Sequence, residues 1–429
     1  MSAESWIFLG VFVLCSFSCL RGLQAVWSSL KFLRRIARAV RAAPGLRDAS
    51  GRFKYQPSVA LIMPCCGIDE CLQRTVERLG RQDYGPFEII FTFESADDPA
   101  YPAVGRWTAD WSSPRTRRVV AGLTERRSQK IHNLLAAVAA VPPEREVLVF
   151  LDSDAVPNDD WLGHLVAPLQ DEQVGASTGF RWYTAAGGLA NGVRSLWNAA
   201  GVSLMEEKHL AFCWGGATAI RRQRFDAFEI ARRWDCALSD DLQVTLAVRE
   251  SGREIRFVPQ ALIPSHDQTT FKGFWEFAKR QLIITRICAP AIWRAGFVFC
   301  GHLVVGGTLS VVLFFGALLG WFGNPIVMYA GLAAWLLILG SATAKAALRQ
   351  LALRKVLRPP DMTWLDAWWD IGGAAFSGML HIALFFASMR TRRLLWRNTY
   401  YELVSPSETR VLGRAPAAPA AERQPAGNP

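Results

Sequence analysis

The sequence predicts an α/β domain with a mainly parallel sheet, held between apolar segments that belong in a membrane. Three observations predict it. Short apolar, β-branched runs alternate with helix-patterned stretches between Ser58 and Ile263, the order that builds βαβ units. Apolar runs approaching the roughly 20 residues that cross a bilayer precede and follow this region. The 429-residue chain is 51% hydrophobic and only 20% charged, too apolar for an ordinary soluble enzyme.

The first apolar run, Trp6 to Cys19, has Glu4 ahead of it and Arg21 behind. A cleaved signal peptide carries its positive charge in front, so the reversed order predicts an uncleaved transmembrane anchor over residues 1–30. Lys31, Arg34, Arg35, Arg38 and Arg41 then mark a basic juxtamembrane linker over 31–57. Their charge places Ser2 outside and everything from Lys31 onward in the cytoplasm.

The soluble domain is expected over 58–270. Its strands read at Ser58–Met63, Glu88–Phe93, Arg118–Ala121, Val147–Leu151 and Ile255–Val258, and its helices at Asp69–Arg81, Ser128–Ala140, Asp160–Leu169 and Asp241–Glu250. An interfacial helix follows over 271–294, then a membrane bundle over 295–390 with apolar stretches at Gly296–Phe322, Pro325–Thr343 and Ile371–Met389. Trp364, Trp368 and Trp369 suit the membrane interface. Three full crossings would place Arg390, Arg392, Arg393 and Arg397 outside, against the positive-inside rule. Either the last stretch re-enters without crossing or the rule fails; a cytoplasmic carboxyl terminus is the expectation. A membrane-proximal cytoplasmic segment over 391–412 and an Ala/Pro-rich disordered tail over 413–429 complete the chain.

The net charge of +11 is concentrated in basic blocks beside the apolar segments, which reads as topology signal and anionic-lipid contact. No basic-aromatic motif accompanies these blocks, so no nucleic-acid partner is expected. The nine cysteines are odd in number and form no CxxC pair, which argues against a zinc site or a disulfide framework.

Chemistry is concentrated in carboxylates. Val147–Leu151 is followed at once by Asp152-Ser153-Asp154, which puts two acids at the carboxyl edge of a buried strand, where open α/β sheets bind ligands. Two carboxylates one residue apart can share Mg²⁺ or Mn²⁺ and so bridge the diphosphate of a nucleotide donor; a solvated turn is the plainer alternative. Ser239-Asp240-Asp241 precedes a helix and serves either as its cap or as a general base toward an acceptor hydroxyl. Glu94-Ser95-Ala96-Asp97-Asp98-Pro99 follows a strand; its acids either meet a base or ribose or start a helix. Lys130-Ile131-His132-Asn133 opens a helix, where the lysine either meets phosphate or faces solvent.

Taken in order, these segments resemble family 2 glycosyltransferases of the GT-A fold, in particular the ceramide glucosyltransferase-like branch. Pro64-Cys65-Cys66-Gly67-Ile68-Asp69 looks like that branch's P-x-x-G-[VI]-D, and Lys130-x-x-Asn133-Leu134 its K-x-x-N-L near the donor. Asp152-Ser153-Asp154 matches the D-x-D, implying metal binding by Asp152 and Asp154. Leu238-x-Asp240-Asp241 is similar to the L-x-[ED]-D, which makes Asp241 the implied catalytic base. Trp214-Gly215-Gly216 with Arg221-Arg222 resembles the acceptor-side loop, to which Asp240 is added. Trp396-Arg397-x-x-x-Tyr401-x-Leu403 looks like the branch's carboxyl-terminal W-R-x-x-x-Y-x-L.

Two departures stand out. Ser95 occupies the place of an Asp, so Glu94 or Asp97 is left to serve the nucleotide. Arg280-Gln281-Leu282-Ile283-Ile284 carries isoleucines where the motif [RQ]-x-x-R-W has Arg-Trp, and Arg286, one helical turn past Ile283, is the candidate replacement. The implied donor site is Pro64, Glu94, Asp97, Lys130, Asn133, Asp152, Arg280, Gln281 and Arg286. The resemblance implies an inverting hexosyl transfer from a UDP-sugar to a membrane lipid hydroxyl, ceramide-like or hopanoid-like, with Mg²⁺ or Mn²⁺. The expected setting is a bacterial inner membrane with the catalytic domain in the cytoplasm. The rivals are transfer to a polyprenyl phosphate and an inactive nucleotide-binding membrane protein.

Overall fold

The computed structural model describes residues 3–205, 210–322 and 324–415. Seven strands make the central sheet: β1 (Val59–Pro64), β2 (Phe87–Phe93), β3 (Arg115–Val120), β4 (Val147–Leu151), β5 (Val174–Tyr183), β6 (Ala217–Arg221) and β7 (Glu254–Ser265). Their order is β3-β2-β1-β4-β6-β5-β7. β1 runs parallel to β2 and β4, β2 to β3, and β5 to β7, while β6 is antiparallel to both of its neighbours. The mainly parallel sheet expected from the sequence is present. Strands β2, β4 and β5 are buried along their whole length, as apolar strands covered on both faces must be. β3 is the charged edge, with Arg115, Arg117 and Arg118 facing outward.

Side chains alternate across the pleat, so Leu61, Met63 and Val149 enter one apolar layer and Ile62, Leu148 and Phe150 the other. Helices α2 (Leu72–Leu79), α3 (Ala100–Trp107), α4 (Gln129–Ala140), α5 (Trp161–Val166), α6 (Leu189–Leu204), α7 (Arg222–Ala227), α8 (Ile230–Trp234) and α9 (Asp240–Glu250) surround the sheet. Ser128 and Ser239 cap α4 and α9, each hydroxyl accepting from a backbone amide of the first turn. The caps fix where those helices begin, and with that the positions of Lys130 and Asp241.

The amino-terminal helix α1 (Ala3–Ala42) corrects the expected domain map. The linker placed at 31–57 is helical as far as Ala42, because Phe32 and Ile36 are fully buried in the core under the sheet and hold the helix down. The Gln260 amide donates to Ala39 O at 3.0 Å. Earlier in α1, Leu9, Phe12, Val13, Phe17 and Leu20 remain exposed. The expected position of Ser2 lies outside the described residues.

After the sheet come α10 (Phe271–Cys288), α11 (Pro290–Leu318), α12 (Pro325–Leu353), α13 (Trp364–Ala367), a π-helical turn (Trp368–Gly372) and α14 (Ala374–Met389). Among the described residues three helices, one amino-terminal and two later, are long and apolar enough to cross a membrane. They pack on small residues: Ser18 Oγ donates to His302 O at 3.0 Å, and Gly22 faces Ser341.

The third apolar stretch, Ile371–Met389, lies in a bent pair, Trp364–Gly372 and Ala374–Met389, meeting at 72°. Its near end is tied to the soluble domain, where Asp366 accepts from the Ala185 amide at 2.9 Å. Its far end is tied to α10, where Arg286 donates to Met389 O at 3.0 Å.

The segment expected as membrane-proximal is a second sheet of β8 (Arg393–Trp396), β9 (Thr399–Ser405) and β10 (Glu408–Arg414), antiparallel in the order β10-β9-β8. Strand β10 runs past Gly413, where the disordered tail was expected to begin; residues 416–429 lie outside the described set.

Inside the bundle Arg349 is clamped by Asp370, with Nε to Oδ2 at 3.0 Å, and Gln350 Nε2 adds a bond to the same oxygen at 2.9 Å. Both charged side chains are nearly inaccessible. Asp370→Ala is expected to cost about 3–5 kcal/mol by stranding a buried guanidinium, read as a lowered thermal unfolding midpoint in detergent.

Candidate active site

Because β1, β2 and β4 are parallel, their carboxyl ends share one edge, and Asp152 and Asp154 follow the last residue of β4 there. Strand β6 runs the other way, pairing Ala217 with Leu151 at this edge and Arg221 with Val147 at the opposite one. Trp214 and Gly215, just before β6, thus arrive beside the aspartates. Arg221 and Arg222 do not: they sit at the far edge, paired with Glu172 and Asp226.

Lys130, in the first turn of α4, joins the cluster. Its Nζ lies 2.8 Å from Asp152 Oδ1 and 3.2 Å from Asp240 Oδ2. Gly215 is required at this point, since a Cβ there would sit 2.6 Å from Asp240 Oδ2 and 2.8 Å from Lys130 Nζ. Asp241 points into the same cavity as Asp152 and Asp154. Its Oδ1 accepts from Ser239 Oγ and the Leu242 amide, and its Oδ2 accepts from the Gly215 amide at 3.3 Å. The capping hydroxyl of Ser239 thus also holds the cavity carboxylate of Asp241.

Arg181 on β5 was not marked by the sequence reading. It donates to both oxygens of Asp154, at 2.9 and 2.5 Å, and lies 5.1 Å over the Trp214 ring. The signal that could have found it is a lone charge in the run Phe180-Arg181-Trp182-Tyr183.

The charges shape one another. Burial alone would lift Asp154, but the Arg181 guanidinium outweighs it and holds the carboxyl well below the usual carboxylate range. Burial opposes the charge on Lys130, and the fields of Asp152, Asp240 and Asp241 more than restore it. Asp240 is pushed up to about 6, chiefly by burial, with Lys130 opposing and the charges of Asp241 and Asp152 adding.

One cavity of about 1530 Å³ contains this cluster. It is lined at the sheet edge by Pro64, Glu94, Lys130, Asn133, Asp152, Asp154, Arg181, Trp214, Gly215, Asp240, Asp241, Arg280 and Gln281. It continues between the long apolar helices to Phe299, Cys300, Leu303, Ile338 and Phe385.

Three expected site residues are not part of it. Asp97 is exposed and bonded to Ser95, while its neighbour Asp98 accepts from the Gly67 amide. Gly216 is buried against the Trp214 ring. Arg286 donates to Met389 O and Thr391 O, tying α10 to the chain beyond α14. Of the two acids left to replace the missing Asp, Glu94 lines the cavity, where it pairs with Arg414 at 3.2 Å.

Among the described residues no group of three or more His, Cys, Asp or Glu side chains gathers as a metal cage. Asp152 and Asp154 still fit a hard divalent cation. They are two carboxylates one residue apart, and Arg181 favours the ionised form of Asp154. One or two protein carboxylates completed by substrate phosphate and water is a usual shell for such ions.

An α/β sheet with a D-x-D at its carboxyl edge, an acid pair across the cavity and apolar helices on one flank defines a membrane glycosyltransferase. The comparisons place it further. Residues 23–408 match the model of glycosyl transferase family 21, and the chain belongs to that family, the ceramide glucosyltransferase family. It is a glycosyltransferase of the GT-A, family 2-like kind.

Among solved structures the chain is similar to a mannosyltransferase from Pyrobaculum calidifontis in complex with GDP-Man and Mn²⁺, at 17% identity over 86% of this chain and 99% of that one, with a TM-score of 0.43. It is also similar to glucosyl-3-phosphoglycerate synthase from Mycobacterium tuberculosis in complex with Mn²⁺ and UDP-glucose, at 17% identity over 57% and 81%, with a TM-score of 0.37. These likenesses are distant, and membership rests on the family match.

Sugar transfer is expected to fall as pH drops through about 6, where Asp240 takes up a proton and Lys130 loses one counter-charge. Stability moves the other way: a carboxyl raised in the folded state loses its stabilising proton as pH rises through about 6. A pH–rate profile checks the first point. Asp240→Asn is expected to show a low rate at every pH and no limb near 6.

Proposed function

We propose that this protein moves a hexose from a UDP-sugar to the hydroxyl of a membrane lipid, a ceramide-like or hopanoid-like alcohol, with inversion at the anomeric carbon. The observation that carries the reading is the single cavity that runs from Asp152, Asp154 and Asp241 to the apolar helices. A charged, water-soluble donor suits its polar end and a bilayer-resident acceptor its apolar end. Family 21 membership supports the same reading.

In this reading Asp241 accepts the proton of the lipid hydroxyl. The hydroxyl oxygen bonds to the anomeric carbon as the bond from that carbon to the diphosphate breaks, and UDP leaves with the electron pair. The Gly215 amide, 3.3 Å from Asp241 Oδ2, orients the base. Lys130 and Arg181 hold Asp152 and Asp154 in place, and Arg181 keeps Asp154 ionised. Mg²⁺ or Mn²⁺ held by those aspartates would supply charge neutralisation at the leaving diphosphate. Glu94, Asn133, Gln281 and Pro64 line the donor end, and Trp214 and Gly215 the acceptor side. The basic residues of α1 from Lys31 to Arg41 support a cytoplasmic catalytic domain, with a bacterial inner membrane as the proposed setting.

Purified protein incubated with several UDP-sugars and membrane lipid, followed by mass spectrometry of the lipids, tests the reading; it predicts a lipid heavier by one hexose. No modified lipid with any donor would refute it. Asp241→Asn is expected to lower transfer by roughly 10²–10⁴-fold while UDP-sugar still binds. Transfer near the wild-type rate would remove the base assignment. Asp154→Ala is expected to weaken UDP-sugar binding in the presence of Mn²⁺, measured by titration calorimetry.

A further inference from the structure

The donor end of the cavity holds several cations, and most are already committed. Lys130 is shared between Asp152 and Asp240, and Arg181 engages both oxygens of Asp154. Arg280 donates to Leu395 O at 3.4 Å and lies 5.8 Å over the Trp396 ring. Arg397 is placed differently, on the turn between β8 and β9.

Trp396 pairs with Thr399, so Arg397 and Asn398 form a two-residue hairpin connection. Arg397 takes its first position at φ +52. Glycine or asparagine normally occupies such a position, because a side chain there is strained. Strain of this kind persists where function requires the side chain.

The side chain lines the cavity and is 48% exposed, with an ion pair to Asp69 at 3.6 Å. Asp69 is engaged elsewhere as well, accepting from the amides of Cys71 and Leu72. Burial opposes the charge on Arg397, but the fields of Asp154, Asp69 and Asp152 outweigh it.

The hairpin is docked with care. The Gln129 amide donates to the Tyr401 hydroxyl at 3.1 Å, and Arg414 reaches Glu94 at 3.2 Å. Ile283 and Ile284 pack in one apolar cluster with Leu394, Tyr401 and Leu403. The isoleucines that depart from the Arg-Trp pattern on α10 thus form the seat of a hairpin that brings its own Trp396-Arg397 to the cavity.

We propose that Arg397, delivered by the β8–β9 hairpin, is the residue that grips the diphosphate of the nucleotide-sugar donor and takes up its charge as the nucleotide leaves. The proposal rests on the nucleotide-sugar reading above. A guanidinium matches phosphate with two parallel hydrogen bonds, which a lysine cannot supply.

The test is titration calorimetry of UDP and UMP, with Mn²⁺, on the purified full chain in detergent. Arg397→Gly removes the guanidinium and suits the positive φ, so its unfolding temperature is expected to be unchanged or raised. Its UDP affinity is expected to fall roughly tenfold or more, with a several-fold smaller loss for UMP. Arg397→Lys is expected to recover part of the UDP affinity. UDP binding by Arg397→Gly at wild-type strength would overturn the assignment and leave the donor reading standing. Equal losses for UDP and UMP would also overturn it, by pointing to a role in shaping the whole nucleotide site. Wild-type protein that binds no UDP would defeat the donor reading, and this proposal with it.

Discussion

The site depends on one contact, the Lys130 ammonium held between Asp152 and Asp240. It joins the end of β4 to the start of α9, two segments far apart in the chain. Asp152, Asp240 and Asp241 crowd this point and repel one another, and the ammonium between them offsets that repulsion where Asp240 is buried. The backbone is adapted to the contact. Ser128 and Ser239 set the starting points of the two helices, and Gly215 leaves room where any side chain would strike Lys130 or Asp240. Arg181 repeats the arrangement on Asp154. The acids are thereby kept apart in character: Asp154 is strongly ionised, and Asp240 titrates at about 6.

The membrane helices are part of the same construction. Helix α1 runs without a break from exposed apolar residues such as Leu9 and Phe12 to the fully buried Phe32 and Ile36. A continuous helix of this kind couples the apolar segment to the sheet more firmly than a flexible linker would. The bent pair α13 and α14 returns the chain to the sheet, so that β8–β10 can close over the cavity. Polar and apolar ends of one cavity then meet without a gap.

Parts of this were legible in the sequence for physical reasons. Val147–Leu151 read as a strand because five apolar residues end abruptly in acids, and Ser239-Asp240-Asp241 offered a cap for the helix that follows it. The order of the motifs identified the family, and Asp152, Asp154, Lys130 and Asp241 do converge. What stayed hidden depends on tertiary context. Strand β5 carries Gly175, Ser177, Thr178 and Gly179, which erase the usual strand signal, so Arg181 went unmarked. Arg286 was placed by helical spacing alone, which is blind to the carbonyls of Met389 and Thr391 that claim it. Arg221 and Arg222 were grouped with Trp214-Gly215-Gly216 by the resemblance to an acceptor-side loop, but an antiparallel strand carries them to the other edge. The small carboxyl-terminal sheet was missed because its basic residues read first as a membrane-side charge cluster.

The most direct test of the central claim is a high-resolution map of the protein in lipid nanodiscs with UDP and Mn²⁺ bound. The account predicts the cation on Asp152 and Asp154, the diphosphate beside it, and the Asp241 carboxylate facing the same space from the side of the apolar helices. Nucleotide bound at another edge of the sheet, or a cation held away from both aspartates, would contradict it.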